Sequence, residues 1–427
     1  MAEPGRERVV MITSSYPRFP GDMVGTFLEP IAHGVAARGH DVHVVLPWHP
    51  LLQRPPREGD VHFHPFRYAP FPQLNVFGYA SALRADVTLR FAALAAAPLA
   101  LIAAARVARR VARSVQATVI HAHWVIPFGA VGATIAGRLP LVISLHGSDV
   151  FVAERHASIG AAARAAFRRA DRVTACSEDL RQRAIRLGAS EDGSETIPYG
   201  VDARRFQPDA ALRARRRAAL GIRPEQPLIF TAGRLVRKKG FEYLIDAMGE
   251  LAARWPDAIL VIGGGGDLDR ELRARAAERG LAERVVFTGV LKQDEVAECL
   301  AAADVAVVPS VRDDAGNVDG LPNVVMESLA SGTALVATTA GGIGAVADDG
   351  ENALLVGERD PPALARAIDA LLSDADRRAR IGGAARQRVL ERHSWAHVAE
   401  RFERCYREAR RAAGLSRRKG RGQLASN

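Results

Sequence analysis

The chain has 427 residues, of which 48% are hydrophobic and 25% are charged, a composition typical of folded soluble domains. Its length predicts two or three domains, and its composition excludes a largely disordered chain. The cysteines Cys176, Cys299 and Cys405 lie far apart and form no CxxC motif. We therefore expect neither a disulfide scaffold nor a structural zinc site, and free thiols suit a reducing compartment.

The net charge of +10 comes from 58 basic and 48 acidic residues, and it is distributed unevenly. Residues 410–427 contain basic residues and no acidic one, so this tail carries much of the excess. Nucleic-acid binding usually needs a basic surface with interleaved aromatic residues or a recognised motif, and the sequence shows neither. We expect no nucleic-acid partner.

In chain order, short apolar β-type runs alternate with segments of helical periodicity. The first series of predicted strands comprises residues 9–13, 43–46, 119–121, 141–145 and 173–176. The second series comprises residues 228–231, 259–262, 285–287, 305–308 and 335–337. Continuous Val, Ile and Leu runs between helices indicate parallel sheets covered on both faces. The sequence thus predicts an α/β protein with two Rossmann-like domains.

Proline, glycine and charge-dense stretches along the chain predict where these domains end. We expect an N-terminal Rossmann-like domain over 1–205, a linker over 206–226 with a solvated, arginine-rich stretch, and a C-terminal Rossmann-like domain over 227–390. Residues 391–413 are predicted to form a helix that packs back on the N-terminal domain. Residues 414–427 are predicted to be a disordered basic tail.

No signal peptide is expected, because Glu3 and Glu7 precede a first apolar stretch that is too short. The longest uncharged run, residues 91–105, is shorter than the roughly 20 residues of a spanning helix. A buried helix is one interpretation. The other is a segment that lies on an anionic membrane surface, because four arginines follow directly: Arg106, Arg109, Arg110 and Arg113.

A glycine-bounded basic motif, G-R-L-V-R-K-K-G at 233–240, follows the predicted strand 228–231. Arg234 and Lys239 would flank a turn before a helix. Two cations and helix N-terminal amides can hold a diphosphate without a metal ion. An ordinary basic surface turn is the alternative.

Two carboxylates lie eight residues apart in the segment 319–327, after the predicted strand 305–308 and a polar loop. Pro322 fits the first turn of a helix, which would place Asp319 before the helix and Glu327 inside it. A carboxylate can accept two vicinal hydroxyls, as a sugar or a ribose presents them. A capping aspartate and an ordinary helical glutamate are the alternative.

His146 follows the predicted strand 141–145, where ligands bind in open α/β sheets. A hydrogen-bonded loop histidine is the alternative. His121 and His123 have the spacing of metal ligands without an evident third, so we interpret them as local hydrogen-bonding residues. The glycine run 263–266 and the segment 342–347 do not form a complete dinucleotide site, although their amides could contact phosphate or sugar.

In this order, the motifs resemble glycosyltransferase family 4. The C-terminal half contributes residues 233–235, 239–240, 263–267, 287–289, 309–310 and 319–332, and the N-terminal half contributes residues 15–17, 25–27, 39–42, 146–149 and 197–206. The resemblance covers roughly residues 8–410. It implies the GT-B architecture: two facing Rossmann-like domains with parallel sheets and an interdomain cleft. By the same resemblance, the domain over 1–205 would bind the acceptor and the domain over 227–390 the nucleotide sugar.

The resemblance also implies the site residues. Arg234 and Lys239 would hold the donor diphosphate, Glu327 the ribose, and Asp319 the donor sugar. The catalytic set would be Asp319, His146, Arg234 and Lys239. The donor-binding set would be Gly25, Arg234, Lys239, Val290, Leu291, Leu321, Pro322, Asn323 and Glu327. Family members usually carry glutamate at the position of Asp319, and a carboxylate shorter by about 1.5 Å puts its sugar contact in question.

The implied function is retaining transfer of a hexose from a nucleotide-diphosphate sugar to a lipid-linked or oligosaccharide acceptor, in cell-surface polysaccharide or glycolipid synthesis. No metal or other cofactor is expected. A GT-B epimerase or phosphorylase and a noncatalytic nucleotide-sugar-binding protein are the alternatives. We expect a cytoplasmic protein and, from its basic segments, peripheral attachment to the inner face of the cell membrane.

Overall fold

The protein is described here from a computed structural model. The structure describes residues 5–22, 24–71, 74–75, 77–79, 83–84, 88–89 and 91–424. The last three residues of the predicted basic tail, 425–427, lie outside the described residues.

The strands of the described chain occur in two series, as the apolar runs predict. They are β1 (Arg8–Ile12), β2 (Asp41–Pro47), β3 (Arg57–Glu58), β4 (Val61–Phe66), β5 (Leu83–Arg84), β6 (Thr88–Leu89), β7 (Val119–His123), β8 (Leu141–Leu145), β9 (Arg172–Ala175), β10 (Ser194–Thr196), β11 (Leu228–Ala232), β12 (Ile259–Gly263), β13 (Val285–Gly289), β14 (Val305–Val308), β15 (Ala334–Thr338) and β16 (Leu354–Val356).

The helices alternate with these strands. They are α1 (Leu28–Ala37), α2 (Phe91–Ser114), α3 (Ala130–Ile135), α4 (Ser148–Arg155), α5 (Ala157–Arg169), α6 (Glu178–Arg186), α7 (Ala210–Ala219), α8 (Phe241–Leu251), α9 (Asp269–Glu278), α10 (Gln293–Ala302), α11 (Asn323–Ala330), α12 (Pro361–Ser373), α13 (Ala375–Arg392) and α14 (Trp395–Leu424).

Each series of strands forms one main sheet, and β5 and β6 pair separately as a short antiparallel sheet. The first sheet has the order β10-β9-β8-β7-β1-β2-β4-β3 and is parallel except for the edge strand β3, which runs antiparallel to β4. The second sheet has the order β13-β12-β11-β14-β15-β16 and is parallel throughout. In both sheets the chain begins near the middle and winds outward in two directions. That is the doubly wound topology in which ligand sites lie at the carboxyl ends of the strands.

The chain divides into two compact units. The first comprises Met1–Ile197 together with Trp395–Asn427, and the second comprises Pro198–Ser394. The boundary after residue 197 lies ahead of the predicted one after residue 205. Residues 206–226, predicted as a linker, are part of the second unit.

The helix α7 shows why the linker prediction fails. Its Arg217 side chain is only 3% exposed, although an arginine-rich stretch suggested a solvated segment. Arg217 donates to the carbonyl oxygens of Ala302 and Gln226 and pairs with Asp304 at 2.7 Å. Burial is tolerable because each donor has an acceptor, and those acceptors are too far along the chain for a local pattern to show.

The C-terminal helix α14 belongs to the first unit. Its apolar residues Val398, Phe402 and Tyr406 join the core that Ile31 and Val35 of α1 form on one face of the first sheet. The helix continues to Leu424, so the backbone of residues 414–424 is helical where the sequence predicted disorder. The second unit has its own core of strand and helix residues, centred on β11, β12 and β14.

The helix α2 contains the long uncharged run and is buried on one face only. Ala100, Ala104 and Ala108 face the protein, while Leu99 is 59% exposed and Ile102 is 48% exposed. A membrane-crossing helix must be both long and apolar, and none in the described part of the chain meets both conditions.

Candidate functional site

The predicted donor residues gather at the carboxyl edge of the second sheet. The adjacent strands β13, β12, β11 and β14 end there, so the four loops that follow them lie side by side. These loops carry Val290 and Leu291, the glycine run 263–266, the basic segment 233–240, and the segment that leads to Asp319. Parallel pairing therefore brings together residues that are up to about ninety positions apart in the sequence.

The glycine run holds the Arg234 loop close to its neighbour. Leu235 donates its backbone N–H to the Gly265 carbonyl at 3.0 Å, and Gly233 donates to Gly263 at 2.8 Å. A Cβ atom on Gly264 would lie 1.9 Å from the Gly233 carbonyl oxygen, a distance that excludes any side chain. The glycines thus serve a structural purpose, because they let two loop backbones touch. The Arg234 side chain on one of these loops is exposed to solvent.

The turn with Lys238 and Lys239 is fixed on its other side by the loop after β14. Val311 donates its backbone N–H to the Lys238 carbonyl at 2.9 Å. Gly240 has a φ of +65°, and a Cβ there would lie 2.0 Å from the Pro309 carbonyl oxygen. This close approach carries both lysine side chains toward Asp319.

Asp319 forms an ion pair with both lysines. Its Oδ1 lies 2.9 Å from Lys238 Nζ, and its Oδ2 lies 2.5 Å from Lys239 Nζ. Burial alone would raise the pKa of this carboxyl, but the two ammonium groups outweigh that effect and hold its pKa well below the usual range. Asp319 is therefore ionised, and the three side chains together carry one positive charge.

Glu327 lies in the second turn of α11, the helix that follows the Asp319 loop. Its side chain is partly exposed, yet removal of water from around the carboxyl raises its pKa to about 7, against the opposing attraction of Lys239 and Arg205. A carboxyl with this pKa gains or loses its charge near neutral pH.

The remaining predicted donor residues surround this cluster. Val290 is exposed, and Leu291 is buried with its Cδ1 at 2.7 Å from where a Cβ of Gly263 would lie. Leu321 is buried beneath the start of α11. Pro322 occupies the N-cap position and Asn323 is the first helical residue, so Pro322 lies one position earlier than the first-turn placement predicts.

The first unit carries His146 at the carboxyl end of β8, where it meets His123 from the end of β7. His146 Nε2 and His123 Nδ1 are 3.0 Å apart, and the two rings stack with centroids 5.3 Å apart. Burial lowers the pKa of His123 to about 3 and that of His146 well below its usual value, to which their mutual repulsion contributes. Both rings are therefore neutral, and one donates a hydrogen bond to the other.

Neighbouring groups fix this histidine pair. His121, on the same strand as His123, has Nδ1 2.9 Å from the Tyr406 hydroxyl and Nε2 2.7 Å from the Ser144 hydroxyl. Asp149, at the start of α4, accepts the Val125 N–H at 2.7 Å, while burial raises its pKa to about 6. His121 thus has the local hydrogen-bonding role that the sequence suggested.

Gly25 precedes α1 with a φ of +68°, a backbone conformation that favours glycine. Two residues later the Phe27 ring lies 4.5 Å from the His146 ring. The Gly25 loop and His146 thus lie close together within the first unit.

The described residues contain one group whose geometry could hold a metal ion, namely Glu29, His33 and Glu58. Arg54 already pairs with both glutamates, at 2.6 Å and 2.7 Å. The buried Arg54 guanidinium thus already supplies the positive charge that the two glutamates would otherwise attract from a metal ion. This group is not at the carboxyl edge of either sheet's central strands and takes no part in the site.

Both halves of the chain match family descriptions. Residues 24–205 match "Glycosyltransferase Family 4", and residues 213–388 match "Glycosyl transferases group 1". A relative from Mycolicibacterium smegmatis, the GDP-mannose-dependent alpha-(1-6)-phosphatidylinositol monomannoside mannosyltransferase, is 36% identical over 285 residues, which are 65% of this chain and 73% of the relative. The chain belongs to the family 4, group 1 glycosyltransferases.

Other relatives agree with this membership. The D-inositol 3-phosphate glycosyltransferase of Nocardia farcinica is 35% identical over 56% of this chain and 53% of its own length. The solved structure of sucrose-phosphate synthase from Thermosynechococcus elongatus superimposes with a TM-score of 0.75 at 21% identity, covering 94% of this chain and 99% of that one. The glycosyltransferase therefore has the GT-B fold that its motifs implied.

Two features of the glycosyltransferase were not predicted as parts of the site. Lys238 forms half of the ion pair around Asp319, and lysine's rarity in an arginine-rich chain was the available signal, since only four lysines occur. His123 orients His146, and its position at the end of a strand was the available signal. In both cases the partner lies on another loop, which the sequence alone does not show.

Proposed function

We propose that this glycosyltransferase transfers a hexose from a nucleotide-diphosphate sugar to a lipid-linked or oligosaccharide acceptor, with retention of configuration and without a metal ion. The observation that supports it best is the cationic cluster of Arg234, Lys238 and Lys239 at the carboxyl edge of the second sheet. A diphosphate requires positive charge and backbone N–H donors, and this edge offers both.

In the proposed reaction, the bond between the sugar's anomeric carbon and the diphosphate oxygen breaks. The acceptor oxygen forms a new bond on the same face of the sugar, and the acceptor's hydroxyl proton passes to the departing phosphate oxygen. Charge builds up on the diphosphate as it leaves. Arg234 and Lys239 would stabilise that charge, and fixed cations are effective because they need no reorganisation during the step.

The other residues take supporting roles in the proposal. Glu327 accepts the ribose hydroxyls, and Val290, Leu291, Leu321, Pro322 and Asn323 line the donor site. Asp319 acts as a positioning residue, because its two oxygens are committed to Lys238 and Lys239. His146 and the Gly25 loop of the first unit orient a substrate.

The Mycolicibacterium smegmatis relative suggests which substrates to test first. Its printed name gives GDP-mannose as donor and a phosphatidylinositol mannoside as acceptor. We therefore propose a mannosyl donor and an inositol-containing glycolipid acceptor as the first candidates for this enzyme, in cell-surface glycolipid or polysaccharide synthesis.

The function is tested by incubating the enzyme with nucleotide-diphosphate sugars, with and without a phosphatidylinositol mannoside. We expect release of nucleoside diphosphate to depend on the acceptor, the product to keep the donor's anomeric configuration, and the rate to persist in EDTA. Loss of transfer in EDTA that magnesium or manganese restores would contradict metal independence. Binding of donor with no turnover on any acceptor would contradict the enzymatic proposal and favour a noncatalytic binding protein.

Glu327 predicts a specific pH dependence of donor affinity. Only the ionised carboxylate accepts two hydroxyls, so binding should strengthen as the pH rises through about 7, by roughly tenfold between pH 6 and pH 8. Glu327→Gln should remove this pH dependence and weaken binding by about 10- to 150-fold at pH 8, the loss of one charged hydrogen bond. Calorimetric titration of the enzyme with the nucleotide-diphosphate sugar measures both effects.

The matched control is Glu278→Gln, an exposed glutamate at the end of α9. It should bind the donor as the wild type does at every pH. If Glu327→Gln kept the wild-type pH profile, another group would be responsible for it.

We further propose that the enzyme attaches peripherally to anionic membranes through α2. Leu99, Ile102, Arg106, Arg109 and Arg113 are exposed and recur at helical spacing, which makes one stripe that is apolar at its start and basic at its end. Such a stripe can insert apolar side chains while its arginines contact lipid phosphates. A lipid-linked acceptor would make attachment useful.

Replacing Arg106, Arg109, Arg110 and Arg113 by glutamine should abolish binding to phosphatidylglycerol-containing vesicles at low salt, because each contributes about 1 kcal/mol near an anionic surface. Co-sedimentation with the vesicles measures the bound fraction of the enzyme. The control replaces four other exposed arginines of the first unit, Arg155, Arg164, Arg168 and Arg186, and should still bind. Equal binding by wild type and α2 variant would refute α2 as the attachment site.

A further inference from the structure

A polar cavity lies in the first unit, at the amino ends of β1 and β2. This is the opposite end of these strands from the edge where His146 is found. The cavity has a volume of about 360 Å³ and is lined by Gly5, Glu7, His40, Glu403, Arg407, Arg410 and Arg411. None of these residues belongs to the donor or acceptor machinery proposed above.

Among the described residues, two buried polar atoms in the cavity wall find no hydrogen-bond partner. They are Nε2 of His40, which is 3% exposed, and Oε2 of Glu7, which is 2% exposed. His40 Nδ1 accepts the Glu7 backbone N–H at 3.0 Å, and burial lowers the pKa of the ring, so the proton of the neutral ring is on Nε2. The nearest carboxylate oxygen, Glu403 Oε1, is 3.8 Å away, beyond hydrogen-bond range.

The cavity therefore presents an unused donor and an unused acceptor. Unsatisfied buried polar groups destabilise the folded state, and native proteins rarely retain them without a partner. A ligand that satisfies both must accept a hydrogen bond from His40 and donate one to Glu7.

The charges around the cavity leave an excess of positive charge. Glu403 pairs with Arg38 at 2.6 Å and with Arg407 at 2.8 Å, and Glu7 Oε1 pairs with Arg410 at 2.7 Å. Arg411 is exposed at the mouth, and the described residues provide no ion pair for it. The lining thus presents three guanidinium groups, those of Arg407, Arg410 and Arg411, to two carboxylates, and Arg38 pairs with Glu403 from outside the lining. This excess of positive charge favours an anion.

We propose that this cavity binds hydrogen phosphate. Its unprotonated oxygens accept hydrogen bonds from His40 Nε2–H and the Arg411 guanidinium, and its remaining P–OH group donates to Glu7 Oε2. The negative charge of the ligand offsets the excess of positive charge that the arginines leave around the cavity. Because an ionised carboxylate can only accept hydrogen bonds, Glu7 selects an oxyanion that still carries a proton.

This selectivity provides the test. Sulfate has the size and charge of hydrogen phosphate but no proton to donate at neutral pH, so the full-length enzyme should bind phosphate at least about tenfold more tightly than sulfate, the value of one charged hydrogen bond. Glu7→Gln provides an N–H donor in place of the acceptor and should remove or reverse the preference. Isothermal titration with inorganic phosphate and with sulfate measures both variants.

Arg411→Ala locates the binding and spares the fold, because this arginine is exposed and has no ion pair within the described part of the chain. It should weaken phosphate binding by about tenfold, while Arg404→Ala, an exposed arginine on the same helix outside the cavity, should not. Phosphate should also slow hydrogen exchange of residues 403–411 in the wild type. Glycerol 3-phosphate separates two sources of the group, because its dianion has an ester oxygen in place of the P–OH group that donates to Glu7. The proposal predicts that it binds more weakly than phosphate, and tighter binding would indicate an ester and contradict selection by Glu7.

Three results would overturn the proposal. They are equal affinities for sulfate and phosphate in the wild type, wild-type phosphate affinity in Arg411→Ala, and no phosphate-dependent protection of residues 403–411. The Arg411 and hydrogen-exchange measurements decide the question even if Glu7→Gln does not fold.

Discussion

The ion pair of Asp319 with Lys238 and Lys239 is the interaction on which the second unit's site depends. It joins the loop after β11 to the loop after β14. Two close backbone approaches accompany it. One lies between Gly240 and Pro309, and the other lies at Gly341, where a Cβ atom would be 2.0 Å from the Asp319 carbonyl oxygen. A buried carboxylate is stable only when cations compensate for its lost hydration. In the proposed function the same cations hold the donor diphosphate, so the stability of these loops and the proposed chemistry share one set of charges.

The two units use opposite electrostatic designs at the carboxyl edges of their sheets. The second unit gathers charged groups, whereas the first gathers His123 and His146 in a setting where burial keeps both rings neutral. Neutral rings can donate and accept hydrogen bonds to sugar hydroxyls without repelling or attracting a diphosphate. This difference agrees with a division of labour in which one unit binds a charged donor and the other orients neutral hydroxyls.

The sequence predicted the buried parallel strands well, because each is a continuous apolar run that nothing but a covered sheet accommodates. It missed β4, where Val61 and Phe63 alternate with histidines, since one-sided burial leaves a weaker pattern. It placed Arg217 in solvent, because the carbonyls and Asp304 that accept its hydrogen bonds are distant in sequence. The individual site residues could be proposed from motifs, but the pairing of Asp319 with two lysines depends on loop geometry that no motif encodes.

The most direct test of this account is the affinity of free nucleoside diphosphate for Lys239→Met, Asp319→Asn and the double variant. The account predicts at least about tenfold weaker binding in Lys239→Met. It also predicts that the effect of Asp319→Asn becomes smaller once Lys239 is absent, because Asp319 then positions Lys238 alone. Wild-type affinity in Lys239→Met, or effects of the two substitutions that simply add, would contradict it.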